Sequence, residues 1–239
     1  MDILNLFNGG AALILVCVAW FFIIIGLYYY FKKDSKIHIF SVLFCTAVAF
    51  GWTGISITFL SVAIHGYNLD GVESIISYFS YSTIPLGATT VVAMNWDVFG
   101  SPKKKKHIVI IFLISAVIYY IVLFSTFHEA IIVSEPVPGV VLDDWVSPTS
   151  FFYYILWAQV TIPAIVTGLG FNKFRRATAG DLTNRAKYIM IASILGGGGI
   201  LLDTVILMGT IIEGILWVPR IMMIFALIFI HLGYRPSKG

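Results

Sequence analysis

The sequence predicts an all-α membrane protein, a bundle of seven transmembrane helices with the N-terminus outside and the C-terminus in the cytoplasm. Three observations lead to this prediction. Hydrophobic residues make up 59% of the 239 residues and charged residues only 11%, and the mean hydropathy is +0.94. Soluble domains carry about 25% charged residues. Long apolar runs recur along the chain, and basic residues collect in alternate connecting segments, as they do in multi-pass proteins of the cell membrane.

Seven apolar runs take up most of the chain, so residues 1–239 are expected to form a single transmembrane domain. Each run provides about the 20 residues that a helix needs to cross the hydrocarbon core. Strands are disfavoured because a strand in lipid needs a closed barrel and alternates in polarity, whereas these runs are continuously apolar. The predicted spans are Gly10–Phe31, Ile39–Ile64, Val72–Trp96, Ile108–Phe127, Thr149–Phe171, Ala186–Ile211 and Ile215–Leu232.

The distribution of basic residues predicts the orientation. The first, third and fifth connecting segments and the C-terminal tail contain 14 of the 15 Lys and Arg residues, and the segments between them contain none. Cytoplasmic segments of membrane proteins carry the excess of Lys and Arg. The basic segments are therefore expected in the cytoplasm, and an odd number of spans agrees with an N-terminus outside.

Two charged residues fall inside the predicted spans, where a charge is costly and often functional. Asp203 lies about 12 Å from the outer end of the sixth span, and Arg220 lies in the seventh. The short connection between these spans allows an ion pair, with Glu213 as a third member. The pair either fixes the register of the two helices or lines a ligand pocket open to the outside.

Further polar and aromatic residues are expected in the same ligand pocket. Gln159 is an amide that is costly to bury, and Tyr81 and Trp157 occupy neighbouring predicted spans. Trp52 and Trp157 are both expected in the core of the bundle.

Prolines and glycines within the spans predict places where the helices bend. Pro85 and Pro163 each remove a helical hydrogen bond near the middle of a span. Gly197 and Gly198 belong to a run of four glycines in the sixth span, which either permits close helix packing or forms a hinge. Pro219 is expected only to start its helix.

The connecting segments have two interpretations each. Lys104, Lys105, Arg175 and Arg176 either set the topology and contact lipid headgroups, or form a docking surface for a cytoplasmic partner. The outer segment Glu129–Ser147 either covers the bundle as a lid or is a solvated connector.

Several functional classes are disfavoured by what the spans contain. Retinal proteins hold their chromophore on a lysine in the last span, and every lysine here lies in a cytoplasmic segment. The five histidines lie at the ends of spans, a poor arrangement for haem. No nucleophile triad, phosphate-binding loop or metal-ligand cluster is evident. We therefore expect no enzyme activity, no cofactor, no metal and no nucleic-acid partner.

Several short motifs follow the order found in a known family. They are Trp52 in AVAFGWTG, Pro85 in YSTIPLGATT followed by NWDVFGSPKKKKH, Thr126 and His128 in STFHEA, the basic FNKFRRATAGDLTNRAKYIMIASIL, and the closing HLGYRP. In these the chain resembles the N-terminal seven-span sensor region of prokaryotic histidine kinases, and the resemblance covers nearly the whole chain. That family continues into a kinase or another output domain, so the resemblance implies a sensor module that stands alone.

The expected function is that of a stand-alone sensor that binds a small or lipid-like ligand from the outside and signals to a separate cytoplasmic partner. Two alternatives are a non-catalytic subunit of a larger membrane complex and a transporter. A subunit should expose a flat helix face rich in small residues, whereas a sensor should enclose a cavity.

Overall fold

The computed structural model describes residues 3–33, 36–68, 73–133, 138–142, 144–203 and 215–235. In these residues the backbone forms eight helices and two short strands. The helices are α1 (Ile3–Lys33), α2 (Lys36–His65), α3 (Glu73–Ser82), α4 (Ile84–Phe99), α5 (Pro102–Ala130), α6 (Phe151–Ala177), α7 (Asp181–Leu201) and α8 (Trp217–Tyr234); the strands are β1 (Ile131–Val133) and β2 (Asp144–Val146).

The structure confirms the all-α class, since 87% of the described residues are helical. Five helices of the described residues are long and apolar enough to cross a membrane: α1, α2, α5, α6 and α8. The outer face of α5 shows why lipid is the fitting solvent, because Ile111, Ile114, Ile118 and Ile121 are each at least half exposed. A soluble protein would not leave such a row of large aliphatic side chains in water.

The predicted third and sixth spans are the two that have no counterpart among these five helices. The third is divided into α3 and α4, which are separated by Thr83. The sixth corresponds to α7, which begins five residues earlier, at Asp181, because its charged first turn is helical although it is not apolar. The part of the predicted sixth span beyond Asp203 lies outside the described residues.

Pro85 accounts for the break between α3 and α4. Proline has no backbone N–H, so the carbonyl of Tyr81, four residues earlier, loses its helical partner. The Tyr119 hydroxyl on α5 donates to this carbonyl at 2.9 Å, and the Tyr120 hydroxyl donates to the Ser82 carbonyl at 2.7 Å. Two tyrosines of the neighbouring helix therefore replace hydrogen bonds that the break removes. The helix is therefore broken close to Pro85, and the predicted conformational role of Pro85 stays a prediction.

Six helices form a closed ring. Around it α1, α2, α4, α6, α7 and α8 contact one another in that order, and α8 returns to α1. The remaining long helix, α5, packs outside the ring against α4 and α6. This arrangement leaves a space in the middle of the bundle, on the inner faces of the ring helices.

The segment between α5 and α6 covers one end of the bundle. Strands β1 and β2 pair antiparallel, with Ile131 opposite Val146. Between them Val141 and Leu142 are buried, and the Asn68 side-chain amide donates to the Val140 carbonyl at 2.6 Å. Of the two interpretations of Glu129–Ser147, the structure supports the lid; Pro136 and Asp143 lie outside the described residues. We call this end of the bundle the hairpin end, and the opposite end, where α4 meets α5 and α6 meets α7, the basic end.

Candidate functional site

A cavity of about 140 Å³ occupies the middle of the ring. It is lined by α2, α3, α4, α6, α7 and α8, and by Asp144 of β2. The lining residues extend along α4 as far as Asn95, and along α7 from Ile189 to Ile200 and then to Asp203 just beyond the helix. The cavity therefore runs along the bundle axis, from the hairpin end to the neighbourhood of the basic end.

The charged pair predicted from the sequence is present at the hairpin end. Arg220 Nε lies 3.0 Å from Asp203 Oδ1, and the two side chains are 1% and 4% exposed. The Trp52 indole donates to Asp203 Oδ2 at 2.6 Å, and Arg220 Nη1 donates to the Asn8 carbonyl at 2.9 Å. Asp203 lines the cavity, whereas Arg220 lies behind it. Every charge in this network meets an opposite charge or a hydrogen-bonding group, which is the condition for burying charges at low cost.

Local sequence places these two residues at facing helix ends. Asp203 lies directly after α7, in a wider, π-helical turn. Arg220 is the fourth residue of α8, directly after Pro219, whose missing N–H costs nothing in a first turn. Asn8 of α1 accepts from the Trp217 N–H at 3.0 Å and so caps α8. The predicted role of Pro219 as a helix start is confirmed, and Glu213 lies outside the described residues.

A second carboxylate faces the cavity at the hairpin end. Asp144 of β2 accepts from the Tyr81 hydroxyl at 3.3 Å, and both residues line the cavity. Tyr81 is 2% exposed. The lid thus contributes a charged group to the same cavity wall that the transmembrane helices form.

A neutral network closes the basic end of the cavity, and the sequence analysis missed it. The Asn95 amide donates to Thr167 Oγ1 at 2.8 Å, and the Tyr234 hydroxyl donates to Asn95 Oδ1. All three residues line the cavity, and Asn95 is 1% exposed. The signal was available, because Asn95 is an amide within an apolar run and is as costly to bury as Gln159.

The prediction for Gln159 and the prediction for Trp157 have different outcomes. Gln159 is buried, lines the cavity and donates to Ser115 Oγ at 3.0 Å. Placing Trp157 in the core and in the pocket was wrong, because its side chain is 38% exposed and lines no part of the cavity. The buried stripe of α6 includes Leu156 and Pro163. One residue further along a helix turns about 100°, which carries Trp157 out of that stripe. Trp52 is buried as predicted.

The glycines of α7 bring its backbone close to both neighbours. A Cβ atom on Gly197 would lie 2.6 Å from Ala164 Cβ of α6, and one on Gly199 would lie 2.9 Å from the Pro219 carbonyl of α8. A Cβ atom on Gly198 would meet Met222 at 3.5 Å. Close packing, one of the two interpretations, is therefore confirmed. The hinge at Gly197 and Gly198, and the conformational role of Pro163, which lies inside α6, stay predictions.

The basic residues predicted to dock a partner lie at the basic end. Lys105 forms an ion pair with Asp97 at 2.6 Å, and Arg175 donates to Asn172 at 3.1 Å. Lys104 and Arg176 are exposed. Among the described residues no group of three or more His, Cys, Asp or Glu side chains is arranged to hold a metal ion.

Comparison with known proteins adds no relative. No family model matches the chain, and no curated protein is significantly similar to it. The resemblance to the sensor region of histidine kinases therefore stays a prediction.

Proposed function

We propose that this protein is a seven-helix membrane sensor that binds a small or lipid-like ligand in its central cavity. Ligand binding changes the packing of the helices, and this conformational change is transmitted to a cytoplasmic partner. The observation that carries the proposal is the axial cavity itself, lined by five of the ring helices and by the lid. An apolar pocket with a few convergent polar groups is the usual form of a small-molecule site. At its hairpin end the polar groups are Asp203, Asp144 and Tyr81.

The proposed topology has seven crossings, with α3 and α4 together making one. The Lys and Arg residues at the basic end belong to the cytoplasmic side under the positive-inside rule, which puts the N-terminus and the hairpin end outside. The ligand then enters the cavity from the outer side, at the end that the lid covers.

The outer surface favours a sensor over a subunit of a larger complex. A helix face that packs against another membrane protein is rich in small residues. In contrast, α5 presents Ile111, Ile114, Ile118 and Ile121 outward, and α1 presents Trp20, Phe21 and Ile24. These large side chains suit contact with lipid.

Native mass spectrometry of the purified protein tests ligand binding. Gly51 lines the cavity, and a Cβ atom there would have only Thr83 Oγ1 within 4 Å, at 3.6 Å. Gly51→Leu therefore fills the cavity without a backbone clash. Gly10→Leu is the matched control, because Gly10 has open space around it and does not line the cavity. We expect a bound small molecule in the natural protein and in Gly10→Leu, and none in Gly51→Leu. Equal occupancy in all three proteins, or none in any, would overturn the proposal.

Hydrogen exchange at the basic end tests signalling. Ligand binding should change amide exchange in residues 100–103 and 178–180 of the natural protein and leave Gly51→Leu unaffected, since binding shifts the packing of the ring helices. Unchanged exchange in the natural protein would contradict a sensor.

The docking role of Lys104, Lys105, Arg175 and Arg176 predicts that Lys104→Glu with Arg176→Glu releases the partner while ligand binding persists.

A further inference from the structure

The basic end of the central cavity has more hydrogen-bond donors than the protein uses. The Asn95 amide has two N–H groups, and the Thr167 and Tyr234 hydroxyls have one O–H group each. One Asn95 N–H donates to Thr167 Oγ1 at 2.8 Å, and the Tyr234 O–H donates to Asn95 Oδ1. The second Asn95 N–H and the Thr167 O–H donate to none of the residues that the structure describes.

These two donors are buried and lie at the cavity wall. Asn95 and Thr167 are 1% and 2% exposed, and both line the cavity. A buried donor without an acceptor is costly, because it has given up its hydrogen bond to water and gained none in return. An oxygen atom of a ligand at this end of the cavity would supply the acceptor.

The lining favours an uncharged oxygen at the basic end. None of the described residues that line the cavity is Lys, Arg or His, so an anion would be buried against neutral donors only, which is costly. At the hairpin end Asp144 accepts from Tyr81, and Asp203 accepts from Trp52 and Arg220. The carboxylates at that end are acceptors, and a ligand oxygen finds its donors at the opposite end.

Beyond the two donors the cavity wall is apolar. On α6 the next polar lining residue after Thr167 is Gln159, eight positions away and therefore at a distance of about 12 Å. Ser193 of α7 also lines this stretch, but its hydroxyl donates to the Met190 carbonyl of its own helix. The cavity holds about 140 Å³ in all, so a space of this length is narrow. Its apolar wall includes Val160, Pro163, Ala164, Val91, Gly196 and Ile230.

We propose that the central cavity takes an unbranched, uncharged molecule with a carbonyl oxygen at one end of an apolar chain. The oxygen accepts from Asn95 and Thr167, and the chain extends towards Gln159. A carbonyl oxygen has two lone pairs and brings no donor that would need a further partner. The proposal rests on the proposed function and adds the class of its ligand.

Three probes of equal chain length test the oxygen and its charge. Methyl octyl ketone has an uncharged acceptor, decane has no acceptor, and decanoate has a charged one. Each is titrated at about pH 9, where decanoate is ionised, into the full chain in nanodiscs of zwitterionic lipid. Binding is followed by the thermal unfolding midpoint of each protein, and the probe is expressed as a mole fraction of the lipid, which corrects for partitioning from water.

A triple variant, Asn95→Leu with Thr167→Val and Tyr234→Phe, removes every donor of this network. It should fold, because apolar side chains of similar shape leave no member of the network buried without its partner. Tyr234→Phe alone is the matched control, since the second Asn95 N–H and the Thr167 O–H remain. Gly51→Leu again fills the cavity, with Gly10→Leu as its control.

We expect the natural protein to be half-saturated by methyl octyl ketone at a mole fraction about tenfold below that of decane, and decanoate to bind most weakly. Tyr234→Phe should keep this preference for the ketone, the triple variant should lose it, and Gly51→Leu should remove binding of both uncharged probes. A preference that survives in the triple variant would overturn the assignment to Asn95 and Thr167.

Absence of ketone binding, equal binding of ketone and decane, or tightest binding of decanoate would overturn the ligand class. If the probes that bind are lost in Gly51→Leu, the proposed function still stands. Ketone binding that persists in Gly51→Leu would overturn both proposals.

Infrared spectroscopy of the bound ketone provides a second test that needs no variant. A carbonyl that accepts hydrogen bonds absorbs at a lower wavenumber than a carbonyl in lipid. The difference between spectra with isotopically labelled and unlabelled ketone isolates this band from those of the protein. We expect the band to shift to lower wavenumber in the natural protein, and an unshifted band would overturn the proposal.

Discussion

The two ends of the central cavity are held together by different interactions. At the hairpin end an ion pair, Asp203 with Arg220, is surrounded by hydrogen bonds from Trp52 and to Asn8. At the basic end Asn95, Thr167 and Tyr234 form neutral hydrogen bonds only. A buried charge that loses its partner is far more costly than a neutral group that loses one. The hairpin end should therefore tolerate substitution poorly, and the basic end should tolerate it well.

The largest effect is expected from breaking the ion pair. Arg220→Leu leaves Asp203 charged and buried, and it should lower the free energy of unfolding by about 3–5 kcal/mol. Lys105→Leu is the control, because it breaks the partly exposed pair with Asp97 and should cost at most about 1 kcal/mol. Unfolding in mixed detergent micelles measures both.

The double variant Asp203→Leu with Arg220→Leu distinguishes the two interpretations of the pair. Apolar residues in place of a buried pair restore much of the stability. A folded double variant that still binds the ligand would show that the pair fixes helix register only; one that no longer binds it would place Asp203 in the ligand site. If Arg220→Leu alone costs no more than Lys105→Leu, the contrast between the two ends is wrong.

The second largest effect is expected to distinguish Trp52 from Trp157, which the sequence analysis placed alike in the core of the bundle. Trp52→Phe removes the indole N–H that Asp203 Oδ2 accepts, and a hydrogen bond to a charged group contributes about 1.5–3 kcal/mol. Trp157→Phe changes an exposed side chain and should alter the unfolding free energy by less than about 0.5 kcal/mol. Equal losses in the two variants would contradict the placement of Trp157 outside the core.

A third prediction concerns the helix break that carries Tyr81 to the hairpin end. Tyr119→Phe leaves the Tyr81 carbonyl without its donor and should cost about 1–3 kcal/mol. Pro85→Ala provides the backbone N–H that the Tyr81 carbonyl would accept in a regular helix. In that background Tyr119→Phe should therefore lower the free energy of unfolding by less. A double-mutant cycle of unfolding free energies measures the coupling. Strictly additive losses would mean that the tyrosine does not compensate for the proline.

The smallest effect is expected at the basic end. Thr167→Val keeps the shape of the side chain and removes the hydroxyl that accepts from Asn95. Hydrogen bonds between transmembrane helices contribute about 0.6 kcal/mol on average, and the loss should be of that size. A loss comparable to that of Arg220→Leu would mean that the neutral network holds the bundle as firmly as the ion pair.

The pairing of Asp203 with Arg220 was predictable because few charges lie in the spans and a short connection links the two. Asp203 and Arg220 are the charged residues inside the predicted sixth and seventh spans, so each was the obvious partner for the other. The pocket position of Trp157 was not predictable in this way, because a difference of one residue on α6 decides between the cavity and the lipid. Its neighbour Leu156 is fully buried.

The break in the third span was predictable at Pro85, and its repair was not. A proline in the sequence is enough to predict a missing helical hydrogen bond, because proline has no backbone N–H. The donors that replace the lost hydrogen bonds, Tyr119 and Tyr120, lie 38 residues further along the chain. Which helix packs beside the break depends on how the bundle is arranged.

The sequence by itself determined the solvent, the helical class, the basic and acidic segments and the pairing of Asp203 with Arg220. Hydropathy and charge act through each residue's own transfer free energy, so they can be summed along the chain without knowing the fold. The tertiary structure decided the axial cavity, the lid that brings Asp144 to it, and the bonding of Asn95 to Thr167. These depend on the distances and directions between groups on different helices, because a hydrogen bond forms only within a narrow range of both.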